Sequence, residues 1–112
     1  MNILDIVKII IAILTIVTGL YSLLKPSAIK GFTGLVADGP RGITEIRSIM
    51  GGVFIALGAL PFFESNAYLA LGVTYLVIGV VRLVSMLVDK SVERSNLISL
   101  AVEAVFGIIL VL

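Results

Sequence analysis

Few side chains in this sequence of 112 residues are able to do chemistry. The chain contains no cysteine and no histidine. Their absence excludes a cysteine–histidine zinc site, haem ligation through histidine, thiol redox chemistry and a Ser-His-Asp triad. The groups that remain for acid–base work are Glu45, Tyr75 and Glu103, and two cations, Arg47 and Arg82, accompany them in apolar segments. We therefore expect no metal, no cofactor and no enzymatic activity.

The composition places these groups in a membrane protein. Apolar residues make up 60% of the chain and charged residues only 13%, against about a quarter charged in ordinary soluble domains. The mean hydropathy is +1.25, and so few charges would leave large apolar patches exposed to water. The net charge of +1 and the lack of a polybasic tract give no reason to expect a nucleic-acid partner. The expected surroundings are the lipid bilayer.

Four apolar segments divide the sequence, each close to the roughly 17–25 residues that a transmembrane helix needs. The predicted spans cover residues 3–24, 45–63, 67–88 and 95–112. Lys25-Pro26 ends the first span, and Ser95-Asn96 supplies an N-cap signal for the fourth. The sequence thus predicts an all-α fold, a single integral membrane four-helix bundle over residues 1–112.

The connections between spans predict the topology. Glu64–Asn66 and Asp89–Arg94 are so short that the helices they join must be antiparallel neighbours. The bundle is therefore expected to have up-down connectivity. The connection 25–44 is longer, and within it Pro26–Phe32 is predicted to form a short interfacial helix.

An ionisable side chain inside a span costs about 2.5–3.5 kcal/mol on insertion scales, so each one needs a partner. At 1.5 Å per residue, Arg82 lies about 9 Å inside the end of the third span and Glu103 about 12 Å inside the start of the fourth. The third and fourth spans meet at a short connection, so these depths correspond. The sequence predicts that Arg82 pairs with Glu103, with Tyr75 or Ser99 supplying further hydrogen bonds.

Glu45 and Arg47 begin the second span at the same side of the membrane and are expected near that pair. Two Arg balanced by two Glu favour a neutral clasp that fixes helix register. The alternative is a site that uses the same Arg47, Arg82 and Glu103 cluster to bind an anionic headgroup or to form part of a proton or substrate path.

Small residues repeat at helical spacing along every span, and in lipid such stripes are typical of helix–helix contacts. A substrate channel lined by the same residues is the alternative. The residues predicted to pack at these seams are Gly19 in the first span, Ser48, Gly51, Gly52 and Ala56 in the second, Gly72 and Gly79 in the third, and Gly107 in the fourth.

One segment carries a family resemblance. The run Thr44–Gly52, followed by Ala56-Leu57-Gly58, resembles the second-helix signature of an uncharacterised family of small four-helix prokaryotic membrane proteins known only as a domain of unknown function. The match continues with Gly79–Leu83, Glu103 and Pro26, and so covers nearly the whole chain.

The resemblance implies four helices and a shared polar core of Glu45, Arg47, Arg82 and Glu103, but it implies no activity. Met50 stands where the family's signature has an aromatic residue. More distantly the layout resembles DoxX-type proteins, which are linked to membrane redox systems as accessory components.

Three functions are consistent with these features. The first is a small non-catalytic membrane protein, an accessory or structural subunit of a membrane complex, and minimal loops favour it. The second is a small oligomeric transporter, or a membrane protein that binds lipids or small molecules. Small multidrug transporters rely on a carboxylate within the first helix, whereas this first span has only Asp5 at its end. The third, an intramembrane enzyme, is disfavoured because a carboxylate that faces an Arg is a weak base.

Charge bias predicts the orientation in the cell inner membrane. One side of the predicted bundle carries only Lys8, and the other carries Lys25, Lys30, Arg41, Arg47, Lys90 and Arg94. Since positive residues favour the cytoplasm, both termini are expected outside it. A C-terminal reporter that is active only in the cytoplasm should therefore be silent, and activity of that fusion would reverse the assignment.

Overall fold

The computed structural model describes all 112 residues, and its regular elements are all helices. The four long helices are α1 (Ile3–Leu24), α2 (Gly39–Phe62), α3 (Ala67–Val88) and α4 (Arg94–Val111), and each is long and apolar enough to cross a membrane. The predicted all-α class with four spans is confirmed. The helix that carries the second span begins at Gly39 rather than at the predicted residue 45. Pro40, in its first turn, has a φ angle already suited to a helix start.

The α2 helix changes its winding along its length. Its segments are an α-helix over Gly39–Glu45, a π-helix over Ile46–Val53, an α-helix over Phe54–Ala59 and a 3₁₀ turn over Leu60–Phe62. A π-helix bonds each residue to the fifth one along, not the fourth. The buried residues of the π segment, Ile46 and Gly51, are five apart. The π segment therefore changes which residues of α2 share a face.

The chain forms two compact units, residues 9–65 and residues 1–8 with 66–112. In the first of these, α1 and α2 touch through their backbones. A Cβ added at Gly19 would lie 2.8 Å from the carbonyl oxygen of Gly51, and one added at Gly58 would lie 2.8 Å from that of Ala12. Later residues of α2 thus meet earlier residues of α1, so the two helices are antiparallel.

The structure corrects part of the predicted seam on α2. Gly51 is buried against α1, but Ser48, Gly52 and Ala56 are exposed, and a Cβ added at Gly52 would have no atom within 4 Å. The prediction assumed 3.6 residues per turn throughout. The π winding instead turns positions five apart toward α1, which leaves the Ser48–Gly52–Ala56 series on the outside.

The connection between α1 and α2 is partly helical. Residues Pro26–Ala28 form a 3₁₀ turn and Lys30–Thr33 a short α-helix. Ile29 between them is fully buried, and the rings of Tyr21 and Phe32 lie 5.6 Å apart. A short helix therefore begins within the predicted segment Pro26–Phe32 and ends at Thr33, and Ile29 and the ring pair anchor it within its unit.

In the other unit, α3 and α4 also approach closely at glycines. A Cβ added at Gly72 would lie 2.8 Å from Leu110 Cβ, and one added at Gly107 would lie 2.6 Å from Leu76 Cγ. Residue numbers rise along α3 as they fall along α4, so this pair is antiparallel too. Up-down connectivity across all four helices stays a prediction.

Two glycines of α2 offer a matched test of this packing. Gly58→Ala should destabilise the protein by about 2 kcal/mol, because the new methyl would collide with α1 backbone atoms that cannot move independently. Gly52→Ala should be neutral or stabilising by up to about 1 kcal/mol, because it adds helix propensity in open space. Thermal unfolding in detergent measures both, and equal loss in the two variants would contradict the described α1–α2 contact.

Candidate functional site

The candidate site lies where α3 and α4 approach their common turn. Gly79 is buried on α3, one turn before Arg82, and a Cβ added there would be 3.6 Å from Glu103 Cβ. This close approach brings the Glu103 carboxylate within reach of the next turn of α3. The antiparallel order of the helices then sets Arg82 opposite Glu103, at matching depths.

Arg82 and Glu103 form a bidentate ion pair. Arg82 Nε donates a hydrogen bond to Glu103 Oε1 at 2.8 Å, and Nη2 donates to Oε2 at 2.8 Å. The Glu103 side chain is 10% exposed and that of Arg82 is 30% exposed. Two parallel charge-assisted bonds fix the carboxylate in the plane of the guanidinium. The predicted pair is therefore present, with the guanidinium as its more accessible member.

The third member of the site is Asn96, at the start of α4. Its Oδ1 accepts a hydrogen bond from Arg82 Nη1 at 3.0 Å, and its Nδ2 donates to the carbonyl oxygen of Ser91 at 2.9 Å. The amide thus joins the ion pair to the backbone of the turn. Asn96 lies seven residues before Glu103, which places both on one face of α4.

Tyr75 and Ser99 were predicted for this supporting role, and in the structure Asn96 accepts the third hydrogen bond of Arg82. The three hydrogen bonds that Arg82 donates run to Glu103 and Asn96. The ring of Tyr75 instead packs edge-on against Phe106, with 5.5 Å between centroids. Ser99 is half-exposed, and its hydroxyl is shorter than the amide of Asn96. The seven-residue spacing from Glu103 was the signal that favoured Asn96.

Glu45 and Arg47 lie in the other unit and take no part in the ion pair. Both are exposed on α2, and the partner of Arg82 is Glu103. Of the four predicted charges, Arg82 and Glu103 form an ion pair, which Asn96 supports. The nearness of Glu45 and Arg47 to that ion pair stays a prediction.

The turn between α3 and α4 is held by backbone and side-chain bonds. Lys90 has a φ of 54°, and the Ser91 N–H donates to the carbonyl oxygen of Met86 at 3.0 Å. This is the arrangement of a Schellman C-cap, in which a left-handed residue ends the helix. The Asn96 amide then fixes the Ser91 carbonyl from the other side. The residues bordering the pair are thus held in place by the turn as well as by the helices.

A cleft of about 360 Å³ opens beside the pair. We refer to it as the α3–α4 cleft; its lining residues are Val77, Ile78, Val81, Arg82, Ser85 and Met86 of α3, Ser91 of the turn, and Asn96 of α4. An arginine has five N–H donors, and Arg82 gives three of them to Glu103 and Asn96. Two donors are left, so the cleft has the means to bind an acceptor oxygen.

These features define a class: a small all-helical membrane protein with an ion pair between its last two spans. Residues 3–112 match the family model described as Domain of unknown function (DUF4345). The chain therefore belongs to that family, which confirms the resemblance to a domain of unknown function. The likeness to DoxX-type proteins and a prokaryotic origin stay predictions. No curated protein and no solved structure gives a significant match.

The ion pair can be tested by removing one or both partners. Glu103→Ala should lower the free energy of unfolding by roughly 3 kcal/mol, because it leaves the Arg82 charge in an apolar environment without compensation. The double variant Arg82→Leu/Glu103→Leu should be more stable than Glu103→Ala, since it removes both charges together. Unfolding followed by circular dichroism in detergent gives both values. Wild-type stability of Glu103→Ala would show that the pair does not contribute.

Proposed function

We propose that this protein is a small non-catalytic membrane protein that serves as an accessory or structural subunit of a larger membrane complex. The observation that supports this most directly is the exposed series Ser48, Gly52 and Ala56, which we call the α2 small-residue face. All three residues are exposed, and a Cβ added at Gly52 would have no atom within 4 Å. A helix of another subunit could pack closely against this face, because its side chains are small.

The chemistry of the α2 small-residue face suits a partner helix better than lipid. Helices in a bilayer gain no hydrophobic energy by associating, so they rely on small residues that let two backbones come close. Large apolar side chains, Ile49 and Val53, flank the face and are exposed as well. A stripe of small residues between large ones forms a groove into which the ridge of another helix fits.

The exposed charges of α2 give the partner a further property. Arg47 directly precedes Ser48 at one end of the α2 small-residue face, and it forms no ion pair within the chain. An arginine near a membrane span is stabilised by a carboxylate or by a polar headgroup. We therefore expect the partner helix to present an acidic or acceptor group opposite Arg47.

The carboxylates offer little support for catalysis or proton-coupled transport. Both oxygens of Glu103 already accept hydrogen bonds from Arg82. Asp5 is engaged with Asn2, whose Oδ1 accepts from the Asp5 N–H at 2.9 Å, in the reciprocal pattern of a capping box. These two carboxylates therefore have structural partners, which favours the subunit role over the transporter alternative.

The proposal also includes the localisation and orientation of the subunit. We propose the inner membrane of a prokaryotic cell, with both termini outside the cytoplasm, on the basis of the distribution of Lys and Arg. The complex would then have its own spans beside α2.

Substitution of the α2 small-residue face tests the proposal. Gently extracted wild-type protein should migrate as part of a larger complex in native mass spectrometry. Ala56→Leu and Gly52→Leu should release the chain from that complex, because a large side chain would hold the partner backbone away. Ala101→Leu, an exposed alanine of α4, is the matched control and should leave the complex intact.

The thermal stability of all three variants should stay near the wild-type value, since each position is exposed. The proposal fails if wild-type protein is always recovered alone. It also fails if the α2 variants and Ala101→Leu retain the complex equally.

A further inference from the structure

We propose that the α3–α4 cleft binds one glycerophospholipid, with the ester and phosphate oxygens at Arg82 and an acyl chain along the outer surface of α3. This site shares no residue with the α2 small-residue face and does not depend on the proposed subunit role. It rests on four features of the cleft: its polarity gradient, its excess of donors, its charge balance and its depth.

The lining changes from apolar to polar along one direction. Val77, Ile78 and Val81 form the end toward the middle of α3, and Val77 and Val81 are 55% and 59% exposed. Arg82 and the two serines lie toward the turn at the end of α3. A lipid in a bilayer has the same gradient, with acyl chains toward the centre and oxygens toward the surface.

The polar end of the cleft contains more donors than the protein itself can satisfy. Two N–H groups of Arg82 have no acceptor within the chain. Asn96 uses one of its two N–H donors on the Ser91 carbonyl, and neither Ser85 nor Ser91 makes a side-chain hydrogen bond. Polar groups that face hydrocarbon without a partner are costly. A ligand with several acceptor oxygens would therefore be stabilised at this end.

The charge of the cleft distinguishes among lipid headgroups. Glu103 already compensates the charge of Arg82 through two hydrogen bonds. The turn adds Asp89, Lys90, Glu93 and Arg94, whose formal charges cancel. An anionic headgroup would bring a further negative charge that no group in the cleft balances, whereas a zwitterionic headgroup supplies the same oxygens at no net charge. We therefore expect phosphatidylethanolamine to bind at least as well as phosphatidylglycerol.

The depth of the site matches the position of lipid oxygens. Arg82 is six residues from the end of α3 at Val88, or about 9 Å along the axis. A helix of 22 residues is about 33 Å long, slightly more than the roughly 30 Å of the hydrocarbon core. The guanidinium bonds to Asn96 near the turn, so in a bilayer centred on α3 it would be directed toward the boundary where the ester groups of lipids are found.

Lipid retention measured by native mass spectrometry tests the site. Detergent-purified protein would be titrated with phosphatidylethanolamine and, separately, with phosphatidylglycerol. Wild-type protein should retain one lipid at low lipid concentration. Ser85→Phe and Val81→Phe should weaken that binding at least tenfold, because each fills the cleft. Val84→Phe, a neighbouring exposed position outside the lining, should bind as the wild type does.

A second pair of variants tests the hydrogen bonds without filling the cleft. Ser85→Ala/Ser91→Ala should weaken binding roughly tenfold, as expected for the loss of two neutral hydrogen bonds. Equal retention in Val84→Phe and Ser85→Phe would mean that the bound lipid is only annular, and would overturn the proposal. A tenfold or greater preference for phosphatidylglycerol would overturn it as well, since the charge argument would be wrong.

Discussion

A guanidinium group several ångströms inside an apolar helix avoids an energetic penalty only if its charge is compensated and its donors find acceptors. The carboxylate of Glu103 meets two of the N–H groups of Arg82 in one plane, and Asn96 meets a third. Because Arg82 and Glu103 come from different helices, the bonds fix the register of α3 against α4. Gly72 and Gly107 at the α3–α4 contact are needed because a side chain at either position would push the two helices apart.

The helices of the two units are held together by different interactions. In residues 9–65, α1 and α2 associate through backbone contact at glycines. In residues 1–8 and 66–112, glycine contact is combined with an ion pair between the two helices. Close packing alone allows some sliding along the axis, whereas a bidentate pair allows very little. The second unit is thus suited to hold a polar site at a fixed depth.

The sequence predicts the main elements because each depends on a single strong signal. Apolar length identifies the four helices, and the matching depths of two opposite charges identify Arg82 and Glu103 as partners. The support from Asn96 was missed because the prediction considered Ser99 and Tyr75 instead, although a spacing of seven residues places Asn96 on the same face of α4 as Glu103. The places of Ser48, Gly52 and Ala56 were wrong because nothing in their identities reveals the π winding of Ile46–Val53.

That winding has a consequence for any experiment that reads α2 position by position. Labels placed on successive residues would show exposure recurring about every 3.6 residues before Ile46 and after Val53. Within the π segment from Ile46 to Val53, exposure would recur at a longer interval. A helical wheel with one fixed period would then fit the exposure of the residues before the π segment or of those after it, but not of both together. The resulting phase break would resemble two helices joined by a kink, although the chain winds on without interruption from Gly39 to Phe62.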